Sequence, residues 1–198
     1  MNINQTLRIP LPTAQQSHRK KYNETDAIFV TDVLPQQFMD QAARTPHKTA
    51  LITQDLSLDY TTLSQRAIAL ATHLLELGVT PDEHVAVILP KGWQQIVAVI
   101  AIAYSGAIYL PISPDTPSAR KIMILRQANV KRGILIPDDE TEVIDECALR
   151  PIDLRNEIDW TVLDPVFFPV LAQSDQLAYT LFTSGSTGIP KGVMISHA

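Results

Sequence analysis

From Val33 onward the hydrophobic residues fall into periods that alternate between helical and strand spacing. Leu34, Phe38, Ala42 and Ala43 recur at helical intervals and Pro46 closes the segment, which predicts a first helix. Ala50-Leu51-Ile52 and Ser57-Leu58-Asp59-Tyr60 read as two short strands joined by a turn around Gln54-Asp55. Next, Leu63, Ala67, Leu70, Leu74 and Leu77 alternate by four and three, with Thr62 and Gln65 as a capping box and Gly78 as the terminating glycine. Residues 84–89 (HVAVIL) are a short apolar run of strand length, and the pattern of a buried helix follows over 93–104. A strand over 107–112, a helix from about Ser118 and a strand over 132–136 continue the alternation. Strand, helix, strand, helix, strand predicts an α/β fold, mainly a parallel sheet flanked by helices.

The flanking segments are less patterned. Residues 1–32 are polar, carry the basic cluster His18-Arg19-Lys20-Lys21 and lack a sustained hydrophobic period, so they read as a linker or extended arm ahead of a globular part over 33–198. Asp138-Asp139-Glu140-Thr141-Glu142 lacks the sharp-turn glycine and the ligand alternation of a calcium loop and is expected to be a solvated loop. Residues 147–172, with Pro151, Pro165 and Pro169, support only weak strands around 160–163. The apolar run over 96–110 is broken by Ser105 and Gly106 and falls short of the roughly 20 residues that cross a bilayer.

Composition narrows the function classes. With 45% hydrophobic and 19% charged residues the chain suits a globular protein with a real core. A net charge of -5 gives no general attraction to nucleic acid or to a membrane surface, so the basic cluster reads as a solvated face and any polyanion needs a local site. Cys147 is the single cysteine, which excludes an internal disulfide, and no metal-type cluster surrounds it, so no metal site is predicted. The first residues lack the apolar core of a secretion signal, and a reducing, cytoplasmic location is expected.

Candidate chemistry concentrates in one place. Residues 176–182 (QLAYTLF) form another buried-type strand, which runs into Thr183-Ser184-Gly185-Ser186-Thr187-Gly188-Ile189-Pro190-Lys191-Gly192. Glycines permit backbone geometries in which successive N–H groups converge, hydroxyls add donors, and lysine adds a positive charge, a combination suited to a polyphosphate. The loop departs from the P-loop of nucleotide hydrolases in three ways: Pro190 replaces a glycine, Gly192 replaces the metal-binding hydroxyl, and Val193-Met194-Ile195 favours a strand where a helix should open. Nor does Gly185-Ser186-Thr187-Gly188 satisfy the nucleophile elbow of a serine hydrolase. Trp93 and Tyr109 are expected in the core, and His197 is expected to pack.

The run from Leu177 to Gly192 resembles the phosphate-loop motif of the AMP-forming adenylate superfamily, which includes acyl-CoA ligases, luciferases and peptide-synthetase adenylation domains. Ser105-Gly106-Ala107-Ile108-Tyr109-Leu110-Pro111-Ile112, with Pro117 and Arg120, resembles the second core motif of amino-acid adenylation domains, and Leu58-Asp59-Tyr60 with Leu63 the first. Ser113 and Thr62 depart from that pattern, which usually has Asp and Glu there. Lys91-Gly92-Trp93-Gln94-Gln95 is reminiscent of adenylation domains beside heterocyclisation domains that activate Cys, Ser or Thr.

The resemblance implies an N-terminal part of the adenylate-forming enzyme fold, with residues 1–32 like a condensation-to-adenylation linker. It implies ATP-dependent activation of an amino-acid carboxylate, with Mg²⁺, and transfer to the phosphopantetheine thiol of a carrier domain, in the company of condensation or heterocyclisation domains. Thr183, Ser184, Gly185, Ser186, Thr187, Gly188 and Lys191 are the residues implied to meet the phosphates. Family members place the acyl-substrate pocket, the adenine and ribose contacts and the catalytic lysine further along. A chain of 198 residues is therefore expected to be a fragment cut just after its phosphate loop, inactive alone, with an exposed sheet edge that favours poor solubility or dimerisation. A fragment of an acyl-CoA ligase and a non-catalytic nucleotide-binding or interaction module are the alternatives.

Overall fold

A computed structural model describes residues 12–24, 33–54, 56–160, 172–183 and 190–197. The chain divides into two compact units, residues 1–30 and 31–198. In the first, helix α1 (Thr13–Asn23) has no buried residue. Residues 13–23 of the arm are thus helical where no hydrophobic period predicts it. Ala, Gln, Arg and Lys are strong helix formers, and Lys20 and Lys21 in the last turn complement the helix dipole.

The second unit opens with α2 (Leu34–Arg44), which has proline in its first turn and lays Phe38 5.9 Å from the ring of Tyr60 and 6.4 Å from that of Tyr104. Strands β1 (Thr49–Ile52) and β2 (Ser57–Asp59) pair as an antiparallel hairpin. Helix α3 (Tyr60–Glu76) starts earlier than the expected capping box. Its N-cap is Asp59, whose carboxylate accepts from the Thr62 N–H at 2.8 Å, so Thr62 is a capped residue and not the cap. Bonding to Thr62 holds the Asp59 carboxyl below its usual range. The predicted stripe is buried as Leu63, Ala67, Leu70, Ala71 and Leu74, and Gly78 ends the helix at φ +78.

The main sheet follows: β3 (His84–Ile88), α4 (Trp93–Tyr104), β4 (Ile108–Pro111), α5 (Ser118–Gln127), β5 (Arg132–Leu135), a 3-10 turn (Pro137–Asp139), α6 (Thr141–Cys147), β6 (Arg150–Ile152), β7 (Leu177–Thr183) and β8 (Lys191–Ser196). The strand order is β6-β5-β3-β4-β7-β8, with all pairs parallel except the antiparallel β7–β8 hairpin. This mixed sheet is covered on both faces. Val85, Val87 and Leu89 join a core with α3 and α4, while Ala86 and Ile88 join a second with Ile124 and Leu125 of α5 and Val143 of α6.

Three expectations need correction. The acidic stretch is solvated at Asp138, Asp139, Thr141 and Glu142, but it is a 3-10 turn running into α6 and not a loop, and Glu140 is 5% exposed and forms an ion pair with equally buried Lys121 of α5. A lone carboxylate is too costly to bury, and the pair with its lysine is what lets α6 pack on α5. Strand β6 arises despite Pro151, because it lies at the sheet edge, where a missing N–H is tolerated. Trp160 is not in a strand but in a turn, its Nε1 donating to the Leu154 carbonyl at 3.0 Å; residues 161–163 lie outside the described residues. That turn belongs to a polar knot in which Arg155 Nη2 meets Asp153 at 2.7 Å and Glu157 meets His73 Nε2 at 3.1 Å.

Removing the α3 cap by Asp59→Ala is expected to destabilise the chain by about 1 kcal/mol. Truncating the fully buried Leu70 to Ala is expected to cost about 2–5 kcal/mol, both read from denaturant unfolding.

Candidate functional site

Position in the sheet determines where the glycine-rich loop can act. Strand β7 runs parallel beside β4, with Tyr109 level with Tyr179, so its end at Thr183 delivers the loop to the carboxyl edge of the parallel strands. Strand order reverses there: β4 lies on one side of β3 and β5 on the other, which opens the kind of crevice in which open α/β sheets bind ligands. A cavity of about 390 Å³ opens next to that crevice, at the carboxyl ends of β3 and β4, lined among others by Lys91, Gln95, Ser113 and Asp115.

Strand β8 returns antiparallel to β7, and Thr183 pairs with Lys191 to close the stem of the loop. The Thr183 hydroxyl donates to the Lys191 carbonyl at 3.4 Å, and both residues are exposed at the mouth. Thus the structure brings two of the seven predicted contacts together. Ser184, Gly185, Ser186, Thr187 and Gly188 lie outside the described residues. Gly192 has another role than backbone freedom. It sits within β8, and a Cβ there would meet Phe182 at 3.1 Å and Thr180 at 3.2 Å, so the missing side chain makes room for the Phe182 ring.

Below the mouth, the sheet supports β7 through polar as well as apolar contacts. Thr180 is 3% exposed, and its Oγ1 lies 3.0 Å from Nε2 of His84 at the start of β3. Burial pushes the His84 imidazole below its ordinary range. His197 packs as expected: it lines an apolar pocket with Phe38, Tyr109 and Tyr179, its N–H donates to the Gln176 carbonyl at 3.0 Å, and burial lowers its pKa too. Tyr109 is half-buried beneath α4, and burial raises its phenol.

Trp93 is held by more than core packing. The Arg66 guanidinium of α3 lies 4.3 Å from the Trp93 ring and 5.9 Å from that of Trp160, and the two indoles meet edge to face at 5.3 Å. Arg66 Nε and Nη1 are buried without hydrogen-bond partners among the described residues, so aromatic faces stand in for them. This cluster anchors the N-terminus of α4 beside the cavity. No pattern in the sequence flags Arg66, since its partners lie 27 and 94 positions away.

Among the described residues, no group of three His, Cys, Asp or Glu side chains could hold a metal ion. No helix among them is long and apolar enough to cross a membrane.

A parallel sheet covered on both faces, with an antiparallel hairpin at its carboxyl edge, defines an α/β fold of the open-sheet class, and comparison with known proteins gives its family. The model of the family described as AMP-binding enzyme matches residues 38–198, and the chain belongs to that family. Over 201 aligned residues it is 39% identical to the anguibactin system regulator of Vibrio anguillarum, covering 100% of this chain and 19% of that protein. Over 191 residues it is 38% identical to pyochelin synthetase PchE of Pseudomonas aeruginosa, covering 96% and 13%. The chain thus spans about one fifth or less of the length of these relatives. Among solved structures, the nonribosomal peptide synthetase FmoA3 in its α-methyl-L-serine-AMP-bound form aligns with a TM-score of 0.81 at 27% identity, over 94% of this chain and 20% of that one. The AMPPNP-bound form of FmoA3 aligns at 0.75 and 28% identity, over 94% and 19%. The sequence resemblance and the fold expectation are thereby confirmed.

Two buried imidazoles make stability pH-dependent. Both His84 and His197 have folded pKa values below 6.5, so between those values and 6.5 the unfolded chain binds more protons. Their contribution is complete above that window and drains as pH falls through it. The thermal midpoint is expected to be lower at about pH 5.5 than at about pH 7.5, and the double substitution H84Q/H197Q to flatten that slope.

Proposed function

We propose that the chain supplies the ATP-phosphate-binding part of an adenylation domain that activates an amino-acid carboxylate as an aminoacyl-adenylate for a nonribosomal peptide synthetase. The observation that carries this reading is the β7–β8 stem, which presents Thr183 and Lys191 together at the carboxyl edge of the parallel strands, the edge at which the cavity between the ends of β3 and β4 also opens. An exposed ammonium and an exposed hydroxyl at the mouth of a glycine-rich turn are a donor set for a polyanion.

In this reaction the substrate carboxylate attacks the α-phosphorus and pyrophosphate leaves. Lys191 and the hydroxyls of Thr183, Ser184, Ser186 and Thr187 grip the β- and γ-phosphates, hold the triphosphate for in-line attack and stabilise the charge that grows on pyrophosphate. Gly185 and Gly188 let the backbone approach. Mg²⁺ bound with the nucleotide would supply charge neutralisation on the phosphates. The phosphopantetheine thiol of a carrier domain then attacks the acyl carbon of the adenylate, forming a thioester as the acyl–phosphate bond breaks and AMP leaves with the thiol proton lost to solvent, and condensation or heterocyclisation domains are the neighbours in the assembly. Residues 1–32 serve as the linker to such a neighbour. Similarity to peptide synthetases and to a synthetase structure holding an aminoacyl adenylate favours this reading over an acyl-CoA ligase.

Calorimetric titration of MgATP tests it. Lys191→Ala is expected to weaken binding about tenfold to hundredfold, as loss of a hydrogen bond to a charged group does. Equal affinities in the two proteins overturn the assignment. The purified 198-residue polypeptide is expected to show no amino-acid-dependent pyrophosphate exchange, because the pocket and catalytic lysine lie elsewhere in the family; measured exchange refutes that.

A further inference from the structure

We propose that His84 is a positioning residue: its imidazole latches the Thr180 hydroxyl across β4 and holds the β7–β8 hairpin, and so the mouth of the phosphate loop, in place. The functional part of this proposal rests on reading that hairpin as the nucleotide site.

Register pairing between the hairpin and the parallel core is short. Strand β3 is laddered to β4 over His84↔Ile108, Val85↔Tyr109, Ala86↔Leu110 and Val87↔Pro111, whereas β4 meets β7 at the single pair Tyr109↔Tyr179. Side chains add further ties between the hairpin that carries the loop and the parallel core. Residues on either side of the β3 start provide them. His84 Nε2 reaches Thr180 Oγ1 at 3.0 Å, and the carboxylate of Asp82 accepts from the Gln176 amide at 3.4 Å. Two residues at the entry of β3 thus hold the entry and the middle of β7, bypassing the strand between them.

The chemistry of Thr180 points the same way. It is a buried hydroxyl between Ala178 and Phe182 on its side of the strand, and a buried hydroxyl is retained where it has a partner. From Thr180 the hold passes to both strands of the hairpin. Its Cγ2 and the Phe182 ring pack where Gly192 of β8 lacks a side chain, so fixing β7 fixes β8. Three residues beyond Thr180 comes Thr183, about 10 Å along an extended strand, and opposite it Lys191. Where the ammonium and hydroxyl stand at the mouth is thus set by the stem that His84 secures. His84 also lines a shallow crevice with the charged groups Asp82, Glu83 and Lys131, and among the described residues none of these hydrogen-bonds its ring.

Amide hydrogen exchange of the whole chain, paired with MgATP titration, tests the latch with His84→Ala, His84→Gln and Thr180→Val. His84→Ala and Thr180→Val are each expected to speed exchange in β7 and β8 about tenfold while β5 stays protected, with no further gain when combined. His84→Gln, which keeps an amide at similar reach, is expected to restore protection, a recovery that simple loss of packing does not give. MgATP affinity is expected to fall about fivefold in the two disrupting variants and to return in His84→Gln. Unchanged exchange in both variants, additive effects or failure of the glutamine to rescue overturns the latch. Altered exchange with unaltered affinity overturns its role in the site. Identical MgATP behaviour of the parent and Lys191→Ala defeats the nucleotide reading itself, and the exchange result still decides whether the latch exists.

Discussion

Burial of β3 on both faces is the constraint on which the rest of the second unit depends. A strand with Val85 and Val87 toward one core and Ala86 and Ile88 toward the other must have helices above and below it. That requirement sends the chain through α4 to β4 on one side and through α5 to β5 on the other. The reversal of strand order, the crevice at the carboxyl edge and the place of β7 beside β4 all follow from it. Function enters only at the rim, where the ladder ends and backbone groups are free to meet a ligand.

Polar interactions set the details that hydrophobic burial leaves open. Arg132 of β5 donates to the Leu77 carbonyl at 2.7 Å, satisfying an orphan at the end of α3, and meets Glu83 at 2.5 Å. Arg66 clamps two indoles at the start of α4, and Lys121 with Glu140 sets the seat of α6 on α5. Each is a charged group in a sparing environment, and each fixes a relation between elements that apolar side chains alone would allow to slide.

Legibility in the sequence follows the range of the interaction. The stripe of α3, the run of β3, the breadth of α4 and Gly78 as a terminator are all local, and their periods can be read directly. Errors arise where a local signal has two answers or a distant partner decides. Asp59 suits a strand end and a helix cap equally, so the cap lies one residue before Tyr60 and not at Thr62. Lys121 occupies an apolar position of α5 beside Ile124 and Leu125, a signal of burial that becomes clear only with Glu140 found 19 positions later. Proline hides β6 because strand rules assume a central position. The loop stands out by composition alone, but its support does not: His84 and Thr180 are 96 residues apart, and neither is unusual where it stands.

The strand that follows the loop also explains why the loop has its composition. A nucleotide loop that opens into a helix receives part of its positive potential from the helix N-terminus, where free N–H groups and the macrodipole converge. Here Lys191 begins β8, and a strand has almost no net dipole to offer. Charge and donors have to come from side chains and from the turn itself, which is the composition of hydroxyls, glycines and one lysine that residues 183–192 display. An antiparallel return also puts Lys191 directly opposite Thr183, so the ammonium starts from the rigid end of a ladder instead of from a mobile helix cap. A loop built this way is only as well aimed as its stem, and the pairing with β4, the gap at Gly192 and the His84–Thr180 and Asp82–Gln176 contacts all tie that stem.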